Sequence, residues 1–514
     1  MVAAAFLHAL DLAMRLAQTS DSAQSFVAGY AVAQGNILLS GWHFPFDNYY
    51  VTDTLPYAAL ERIAGPHPFL LALVPATAYA VFLCVALALA VGVCRSWERR
   101  ILAIAALALA LASPAWIGSW NPLLMSGLHF ATVLMALVAL WMCNAVAQSG
   151  RGNGPVFLGR CAGLLVLVSA VIASDAFCLV FAFGPAFVVL AADVAFGGAQ
   201  PRARLALLLL GLGMALGMAE LALVAHAGGF TIESHVRTGL VPAPLLGRNL
   251  VALVGSILSL FGANPFGVEF TASTVFPFVL HATALVLALV AAARVAVRFF
   301  RASLLDRFLF AGTIAVLVAC AVSWQFGKGI AAETMWTGGP PMRYAMPAFL
   351  FASLLAAREL PNVFAGMRSA ALRSAACMAV TCLAVLAVVA GEIGPMPPRG
   401  QANAPAANVA RWLEANGLTQ GVGEYWAANL VTALSGEAVE VRSVVPDDGR
   451  LVPYVWSSNA DWYRQPPQFA IWQDRNLTGV TYDSVRATYT IGHVARVGDY
   501  RIAIIRYPTN SRGR

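Results

Sequence analysis

The sequence contains little charge and almost no lysine. Only 11% of its 514 residues are charged, whereas 60% are hydrophobic. Soluble domains typically have about 25% charged residues, so the composition excludes an ordinary soluble protein. Lys328 is the only lysine, and the other basic side chains are arginines, a bias typical of a GC-rich bacterial genome. These arginines cluster in short loops between apolar runs, a pattern typical of membrane proteins and not of nucleic-acid-binding proteins.

Cysteine is also scarce, and its distribution excludes two kinds of site. The eight cysteines lie in apolar segments or at their edges, and no pair has the CxxC spacing. The pattern therefore favours neither a zinc site nor a disulfide framework. We expect these cysteines to pack as small hydrophobic side chains.

Apolar runs account for most of the first 392 residues. If each run crosses the membrane, the arginine-rich loops all fall on one side, as expected for the cytoplasmic side. The sequence therefore predicts an all-α membrane domain, residues 1–392, of about eleven transmembrane helices, with a cytoplasmic N-terminus, in a bacterial inner membrane. The predicted spans are 2–18, 69–94, 101–117, 126–146, 156–173, 176–196, 205–226, 274–293, 308–324, 345–357 and 374–391.

The opposite, outer side would hold the longer and more acidic loops. Three of them carry candidate functional residues: 20–68, 227–273 and 325–344. Within the second loop, the apolar run 249–262 is short for a span, and we expect it to lie in the membrane interface or to re-enter.

The composition changes after residue 392. Residues 393–405 form a Pro-rich linker. Residues 406–514 lack cysteine, and their alternating runs predict a small α/β domain with a C-terminal hairpin. The predicted topology places this domain on the outer, periplasmic side.

Three carboxylates in the first outer loop are candidate catalytic residues. Asp21 directly follows the first apolar segment, where a carboxylate can accept a proton from an acceptor hydroxyl. It can equally serve as a helix N-cap. Asp47 and Asp53 lie in the run FDNYYVTDT. Either can polarise an acceptor, hold a divalent cation or orient the first acid, but turn chemistry explains the same pattern.

Three further outer residues are candidates for substrate binding. Trp42 and His43 lie in the same loop as the carboxylates and suit a sugar-binding platform. A belt of interfacial aromatic residues is the alternative. His129 lies at the outer start of the fourth predicted span, where a structural role is equally compatible with the pattern.

The last outer loop brings cations to the membrane boundary. Lys328 and Arg343 flank a Gly-Gly-Pro-Pro bend, and Tyr344 follows. An arginine can hold phosphate oxygens in a two-pronged grip, and a lysine acts as a point charge. These residues are therefore candidates for binding a lipid-linked phosphate, with contact to lipid headgroups as the alternative.

The arrangement resembles the GT-C glycosyltransferase superfamily, whose members include aminoarabinose transferases and protein O-mannosyltransferases. Members carry an acid just after the first helix, in a motif close to D-E-x6-A-x5-G. Asp21 and Gly35 match that spacing, while Ser22 and Gly29 replace the Glu and the Ala. The missing Glu puts the second acid of the family motif in doubt, and Asp47 or Asp53 is the candidate to replace it.

A second match lies near the last outer loop. Family members commonly enter a helix there with an Arg-Tyr-x-x-Pro-like sequence, and Arg343, Tyr344 and Pro347 match it. The resemblance implies an inverting transfer of a sugar from a polyprenyl-phosphate donor to a glycan, lipid or protein acceptor. It also implies that Asp21 is the general base and that Arg343, with Lys328 and Tyr344, binds the phosphate. No cofactor is specified, and a divalent metal remains open.

Two other function classes fit parts of the pattern. A transporter or flippase of lipid-linked glycans needs similar cations and membrane access, but it typically has acids, prolines and glycines deep within its spans. A non-catalytic assembly subunit would depend on the C-terminal domain, where Glu424–Tyr425–Trp426 can bind carbohydrate. The concentration of polar residues on the outer side favours the enzyme.

Overall fold

The structure is a computed structural model. It describes residues 2–111, 120–150, 154–196, 201–233, 239–266, 269, 271–328, 335–336, 339–367, 369–390, 397–474 and 478–507.

The first part of the chain is a helical bundle. Two π-helical turns, Tyr50–Thr54 and Leu179–Phe183, lead directly into the third and eighth helices. The helices are α1 (Val2–Ala13), α2 (Ser20–Ala33), α3 (Leu55–Ala64), α4 (Leu70–Val91), α5 (Trp97–Leu111), α6 (Phe130–Ala147), α7 (Pro155–Ser174), α8 (Gly184–Ala195), α9 (Ala203–His226), α10 (Leu246–Leu260), α11 (Ala272–Val297), α12 (Leu304–Val322), α13 (Trp324–Gly327), α14 (Met342–Ala365) and α15 (Ala370–Ala390).

Eight helical segments among the described residues are long and apolar enough to cross a membrane. Seven of them occupy predicted spans; the eighth is Ala243–Leu260. Its length and composition correct our expectation that this part of the 227–273 loop is too short to span. Shorter apolar helices, Val2–Ala13, Leu179–Ala195 and Ala371–Leu386, occupy three other predicted spans. The chain is a multi-pass membrane protein, and the number eleven stays a prediction.

The C-terminal part is the predicted small α/β domain. It contains α16 (Ala404–Ala415), α17 (Tyr425–Leu434) and α18 (Tyr482–Thr488). The nine strands among the described residues are β1 (Trp42–Phe44), β2 (Thr231–Ile232), β3 (Gln420–Glu424), β4 (Glu440–Asp447), β5 (Arg450–Pro453), β6 (Ser458–Asn459), β7 (Phe469–Gln473), β8 (Ile491–Val497) and β9 (Tyr500–Ile505).

Six of these strands form one sheet in the order β5-β4-β3-β7-β9-β8. Strands β3, β4 and β7 run parallel, with α17 as the crossover between β3 and β4, whereas β5, β8 and β9 pair antiparallel. The predicted hairpin is confirmed as β8–β9, with Val497 opposite Tyr500. The sequence patterns did not predict β5, β6 or α18 of this domain, which are all short.

The domain docks directly on the end of the bundle that the sequence predicts to face outward. A three-stranded sheet in the order β2-β1-β6 joins two of the predicted loops, 20–68 and 227–273, to the domain. Trp42 of β1 lies opposite Asn459 of β6. Helix α17 packs against α2. The segment before α16 binds the end of α1, because the Gly400 amide donates to the Met14 carbonyl at 2.8 Å. These contacts place α17 beside the start of α2, where Asp21 lies.

Candidate active site

Asp21 lies in the first turn of α2 but does not cap it. Thr19 is the N-cap: its hydroxyl accepts a hydrogen bond from the Ser22 amide at 3.2 Å, and the Ser22 hydroxyl accepts one from the Thr19 amide at 2.8 Å. This reciprocal capping satisfies the end of the helix without an acid. The N-cap alternative for Asp21 is therefore wrong, and its carboxylate is available for other contacts.

Both carboxylate oxygens of Asp21 accept hydrogen bonds from distant parts of the chain. The Tyr425 hydroxyl, from the C-terminal domain, donates to Oδ1 at 2.5 Å. Nη1 of Arg343, at the start of α14, donates to Oδ2 at 3.2 Å. The start of α2 is held in place as well, because the Ser20 hydroxyl donates to the Tyr425 carbonyl and accepts from the Asn429 amide. The domain thus completes the surroundings of Asp21.

Arg343 keeps one donor without a partner. Its Nη2 donates to the Tyr344 hydroxyl at 3.0 Å, and its guanidinium carbon lies 4.9 Å from the centre of the Tyr344 ring. Its Nε is buried and has no hydrogen-bond partner among the described residues. Leaving a buried donor unpaired is costly, so this N–H is suited to an anionic ligand that approaches the Asp21 side of α14.

A second cluster of polar side chains, centred on His129, lies next to the cluster of Asp21 and Arg343. His129, 2% exposed, directs Nδ1 toward Oδ2 of Asp175 at 2.7 Å. The Tyr49 hydroxyl lies 3.2 Å from the same Nδ1 and donates to Oδ2 of Asp47 at 3.2 Å. Asp47 and Asp175 also form a backbone bridge. Burial raises the pKa of Asp47, and neighbouring Asp175 raises it further, whereas His129 and Arg343 lower it.

Aromatic rings connect the two groups. The Tyr344 ring lies 5.5 Å from the His129 ring and 5.8 Å from the Phe177 ring, measured between centroids. Tyr344 also accepts the hydrogen bond from Arg343. The predicted residues Asp21, Asp47, His129, Arg343 and Tyr344 therefore lie in one contiguous cluster at the N-terminal ends of α2, α6 and α14.

Asp53 lies in the π-helical turn Tyr50–Thr54, which follows Tyr49 in the chain. Its Oδ1 accepts from the Gly127 amide at 3.4 Å and its Oδ2 from the Thr52 hydroxyl at 3.0 Å. Burial raises its pKa to about 6. Gly127 has a φ of +66°, and a Cβ there would come within 2.6 Å of the Asp21 carbonyl oxygen. A glycine is therefore needed where Asp53 and Asp21 approach each other.

Asp53 also borders a largely apolar cavity. The cavity has a volume of about 410 Å³ and lies among α3, α4 and α6. Its lining includes Leu73, Val74, Phe130 and Leu134. The carboxyl group of Asp53 thus lies at the edge of an apolar space, which is the physical reason for its raised pKa.

Trp42 and His43 lie in the sheet that joins the loops to the domain. Trp42 is 1% exposed; its ring stacks on Phe44 at 5.5 Å and meets Trp462 edge-on at 5.0 Å. Its ring therefore has no free face for a sugar. Nδ1 of His43 lies 2.6 Å from Oε1 of Glu233. No contact with the Asp21 cluster is seen for either side chain among the described residues.

Lys328 lies at the end of α13 and is exposed. Its backbone amide donates to the Trp324 carbonyl, and the adjoining Gly327 packs against Asn249 of α10. Within the part of the chain that the structure describes, no contact joins Lys328 to Arg343. Residues 329–334 and 337–338, in the same predicted loop, lie outside the described residues.

The described residues contain no group of three or more His, Cys, Asp or Glu side chains placed to share a metal ion. The structure therefore nominates no ligand set for a divalent metal.

Two residues of the cluster were missed in the sequence. Tyr425 belongs to the aromatic Glu424–Tyr425–Trp426 run, but nothing local places it against residue 21. Asp175 is the C-cap of α7 and belongs to a two-residue loop that the sequence predicts on the outer side. An acid in so short an outer turn is a signal that could have identified it, because it must lie at the same level as the other outer residues.

Comparison with known proteins gives a match at the level of structure. No family model matches the chain, and no curated protein matches by sequence. The chain is similar to the crystal structure of ArnT from Cupriavidus metallidurans bound to undecaprenyl phosphate, with a TM-score of 0.51 at 12% identity. The match covers 98% of this chain and 96% of ArnT. The chain has the GT-C fold.

A second solved structure is also similar, at a lower score. It is the archaeal oligosaccharyltransferase AglB from Archaeoglobus fulgidus in complex with an inhibitory peptide and a dolichol-phosphate, with a TM-score of 0.44 at 12% identity. That match covers 92% of this chain and 69% of AglB. The match to ArnT confirms the predicted GT-C-like fold, a membrane bundle with a small C-terminal domain.

Proposed function

We propose that this protein is a glycosyltransferase that moves a sugar from a polyprenyl-phosphate donor to a glycan, lipid or protein acceptor on the outer side of the membrane. The observation that carries the proposal is the contact between Asp21 and Arg343, together with the unpartnered Nε of Arg343. A base and a phosphate-binding cation are the two groups that this reaction needs side by side.

Asp21 would act as the general base. The acceptor hydroxyl gives its proton to the Asp21 carboxylate while its oxygen bonds to the anomeric carbon from the face opposite the phosphate. The bond between that carbon and the phosphate oxygen breaks, and its electron pair leaves with the polyprenyl phosphate. Configuration at the anomeric carbon is inverted. A positioned base typically contributes about 10²–10⁴-fold in rate.

Arg343 would bind the departing phosphate. Its guanidinium supplies donors where negative charge develops, in a half-buried position where such contacts are stronger than in water. A phosphate oxygen that takes up these donors also weakens the hold of Arg343 on Asp21. The base would therefore be released when the donor lipid is bound. Tyr344 orients the guanidinium through its hydroxyl.

The remaining residues take supporting roles in this proposal. His129 and Asp47 would contact the sugar or the acceptor, with Asp175 and Tyr49 holding them in place. Asp53 stays a candidate second acid at the edge of the apolar cavity. In the proposed topology the cluster and the domain, residues 406–514, face the periplasm of a bacterial inner membrane.

The decisive experiment measures donor consumption by the purified protein. Liposomes containing the protein and polyprenyl-phosphate sugars should release free polyprenyl phosphate in the presence of acceptor, detected by mass spectrometry. Arg343→Ala should weaken binding of polyprenyl phosphate by about 10-fold or more, because a charge-assisted contact is worth about 1.5–3 kcal/mol. Arg343→Lys should rescue only partly, since the planar fork is lost.

Arg501→Ala is the matched control, because Arg501 pairs with Asp474 on the exposed surface of the domain. It should bind the lipid like the wild type. Undiminished binding by Arg343→Ala would remove Arg343 from the site. Movement of an intact lipid-linked glycan across the membrane without release of the lipid phosphate would favour a flippase. The absence of both activities would favour a non-catalytic subunit.

A further inference from the structure

A concave surface lined with arginines lies at the end of the bundle opposite the candidate active site. We name it the arginine pocket and define it by two adjoining cavities of about 490 and 230 Å³ that share Arg99 and Pro361. It is built from the end of α4, the start of α5, the turn between α11 and α12, the end of α14 and the start of α15. Arg343 and Arg358 are fifteen residues apart on α14, which places the pocket about 22 Å from the active site along that helix.

Positive charge exceeds negative charge in this pocket. Six arginines line it, against three acids, for a net charge of +3. The arginines are Arg95, Arg99, Arg298, Arg301, Arg358 and Arg373, and the acids are Glu98, Asp306 and Glu359.

Two of the three acids are already used within the protein. Arg358 is buried; its Nε donates to Asp306 at 2.5 Å and its Nη1 to the Leu89 carbonyl at 2.6 Å. Arg298 pairs with Glu359. These contacts hold the floor of the pocket rigid.

The other four arginines are not paired with an acid in this way among the described residues. The side chains of Arg95, Arg99, Arg301 and Arg373 make no hydrogen bond or ion pair with any other described residue. They come from three different places in the sequence and converge on one concavity. Arginines that converge without acid partners are suited to a phosphate group, whose oxygens accept several N–H donors at once.

The apolar part of the lining shows which phosphate compound fits. Leu102, Phe364 and Cys377 line the larger cavity beside the arginines. Trp97 and Phe300, which adjoin lining residues in the chain, are 70% and 81% exposed, as expected for side chains in a membrane interface. Helix α15, which forms one wall, exposes Leu372 and Met378 on its outer surface. A lipid can therefore place its headgroup among the arginines and its acyl chains along α15.

We propose that the arginine pocket binds the phosphate headgroup of an anionic phospholipid from the leaflet on the arginine-rich side of the membrane. Basic pockets between transmembrane helices are suited to such headgroups. The bound lipid would neutralise the four arginines and connect α5, α14 and α15. Because α14 carries Arg343 at its other end, this lipid would also support the helix that holds the candidate phosphate site.

Native mass spectrometry of the purified protein in detergent tests the proposal. Phosphatidylglycerol, whose headgroup has a net negative charge, should bind more tightly than phosphatidylcholine, whose headgroup is zwitterionic and has no net charge. The combined variant Arg95→Gln, Arg99→Gln and Arg373→Gln should weaken phosphatidylglycerol binding by about tenfold or more and leave phosphatidylcholine unchanged. Arg204→Gln is the matched control, because Arg204 is an exposed arginine at the start of α9 and lies outside the pocket. Equal binding of phosphatidylglycerol by all three proteins would overturn the proposal.

A second measurement needs no variant. Cys377 lines the pocket, whereas Cys382, on the same helix, is exposed and lies outside its lining. Phosphatidylglycerol should slow alkylation of Cys377 by N-ethylmaleimide relative to Cys382. Inorganic phosphate at the same concentration should not. Equal protection by inorganic phosphate would identify a soluble phosphate as the ligand, and protection by neither would exclude a phosphate site; both results would overturn the lipid proposal.

Discussion

The Arg343 guanidinium lies 3.2 Å from the Asp21 carboxylate, although 322 residues separate them in the sequence. The sequence resemblance implied Asp21 as the general base and Arg343 as a phosphate-binding residue of the same reaction. In the proposed function, their contact would couple the binding of a phosphate at Arg343 to the release of the base at Asp21. A transporter would have no need for this coupling.

Replacing Asp21 tests the base directly. Asp21→Asn keeps the size and the acceptor oxygen for Tyr425 but cannot take a proton. Sugar transfer should fall by about 10²–10⁴-fold, while the thermal unfolding temperature stays close to that of the wild type because Thr19 caps α2. Transfer is measured as acceptor glycosylation by mass spectrometry. Asp461→Asn, at an exposed acid of the domain, is the control; near-normal transfer by Asp21→Asn would reject Asp21 as the base.

Tyr425→Phe tests whether the C-terminal domain contributes to the site. The ring contacts with Trp426 and Tyr454 remain, and only the hydroxyl that orients Asp21 is lost. We expect transfer to fall by roughly tenfold, since a hydrogen bond to a charged group is worth about 1.5–3 kcal/mol, with no loss of folding. Tyr482→Phe, at an exposed position on α18, should be silent. Equal rates for the two variants would show that the domain only packs on the bundle.

The His129–Asp175 pair should be important for stability. Both side chains are buried, and Asp175→Ala leaves His129 without its carboxylate partner. Breaking a buried pair typically costs about 3–5 kcal/mol, so the unfolding temperature in detergent should drop clearly. Asp175→Asn, which retains an acceptor, should recover part of the loss. An unchanged melting curve for Asp175→Ala would mean that the pair is not a structural contact.

Two buried acids predict that docking of the domain depends on pH. Glu61 of α3 is 4% exposed with both oxygens unpartnered among the described residues, and burial raises its pKa to about 8. Burial also raises the pKa of Glu437, in the turn after α17, and Glu61 and Glu440 add to the effect. The folded protein therefore holds protons that the unfolded chain releases.

Stability should consequently fall as pH rises from about 4.5 through about 8, the ordinary and the folded pKa of Glu61. Hydrogen exchange of α17 measured across this range should report progressively weaker protection. Glu61→Gln should flatten the dependence, whereas Asp461→Asn should leave it unchanged. A pH profile of α17 exchange that is the same in Glu61→Gln and the wild type would contradict the prediction.

The sequence alone determined the class of the protein and much of its secondary structure. Apolar runs are a local property, so they located the long helices, and alternating runs located the β8–β9 hairpin. The positions of Asp21 and of the Arg343–Tyr344–Pro347 run were sufficient to predict a GT-C fold, which the structure confirms. A run of marginal length was harder to interpret: Ala243–Leu260 is long enough to span only when its 3₁₀ turn is included.

Only the tertiary structure decided which polar residues meet. The sequence left Asp21 open as an N-cap, and the capping geometry at Thr19 resolved that choice. It suggested Trp42 as an exposed platform, but the docked domain covers that ring with Trp462. The contacts of Tyr425 and Asp175 could not be predicted, because they depend on how helices far apart in the sequence pack together. The local sequence pattern carries no information about that packing. The site is therefore a property of the assembled bundle and domain.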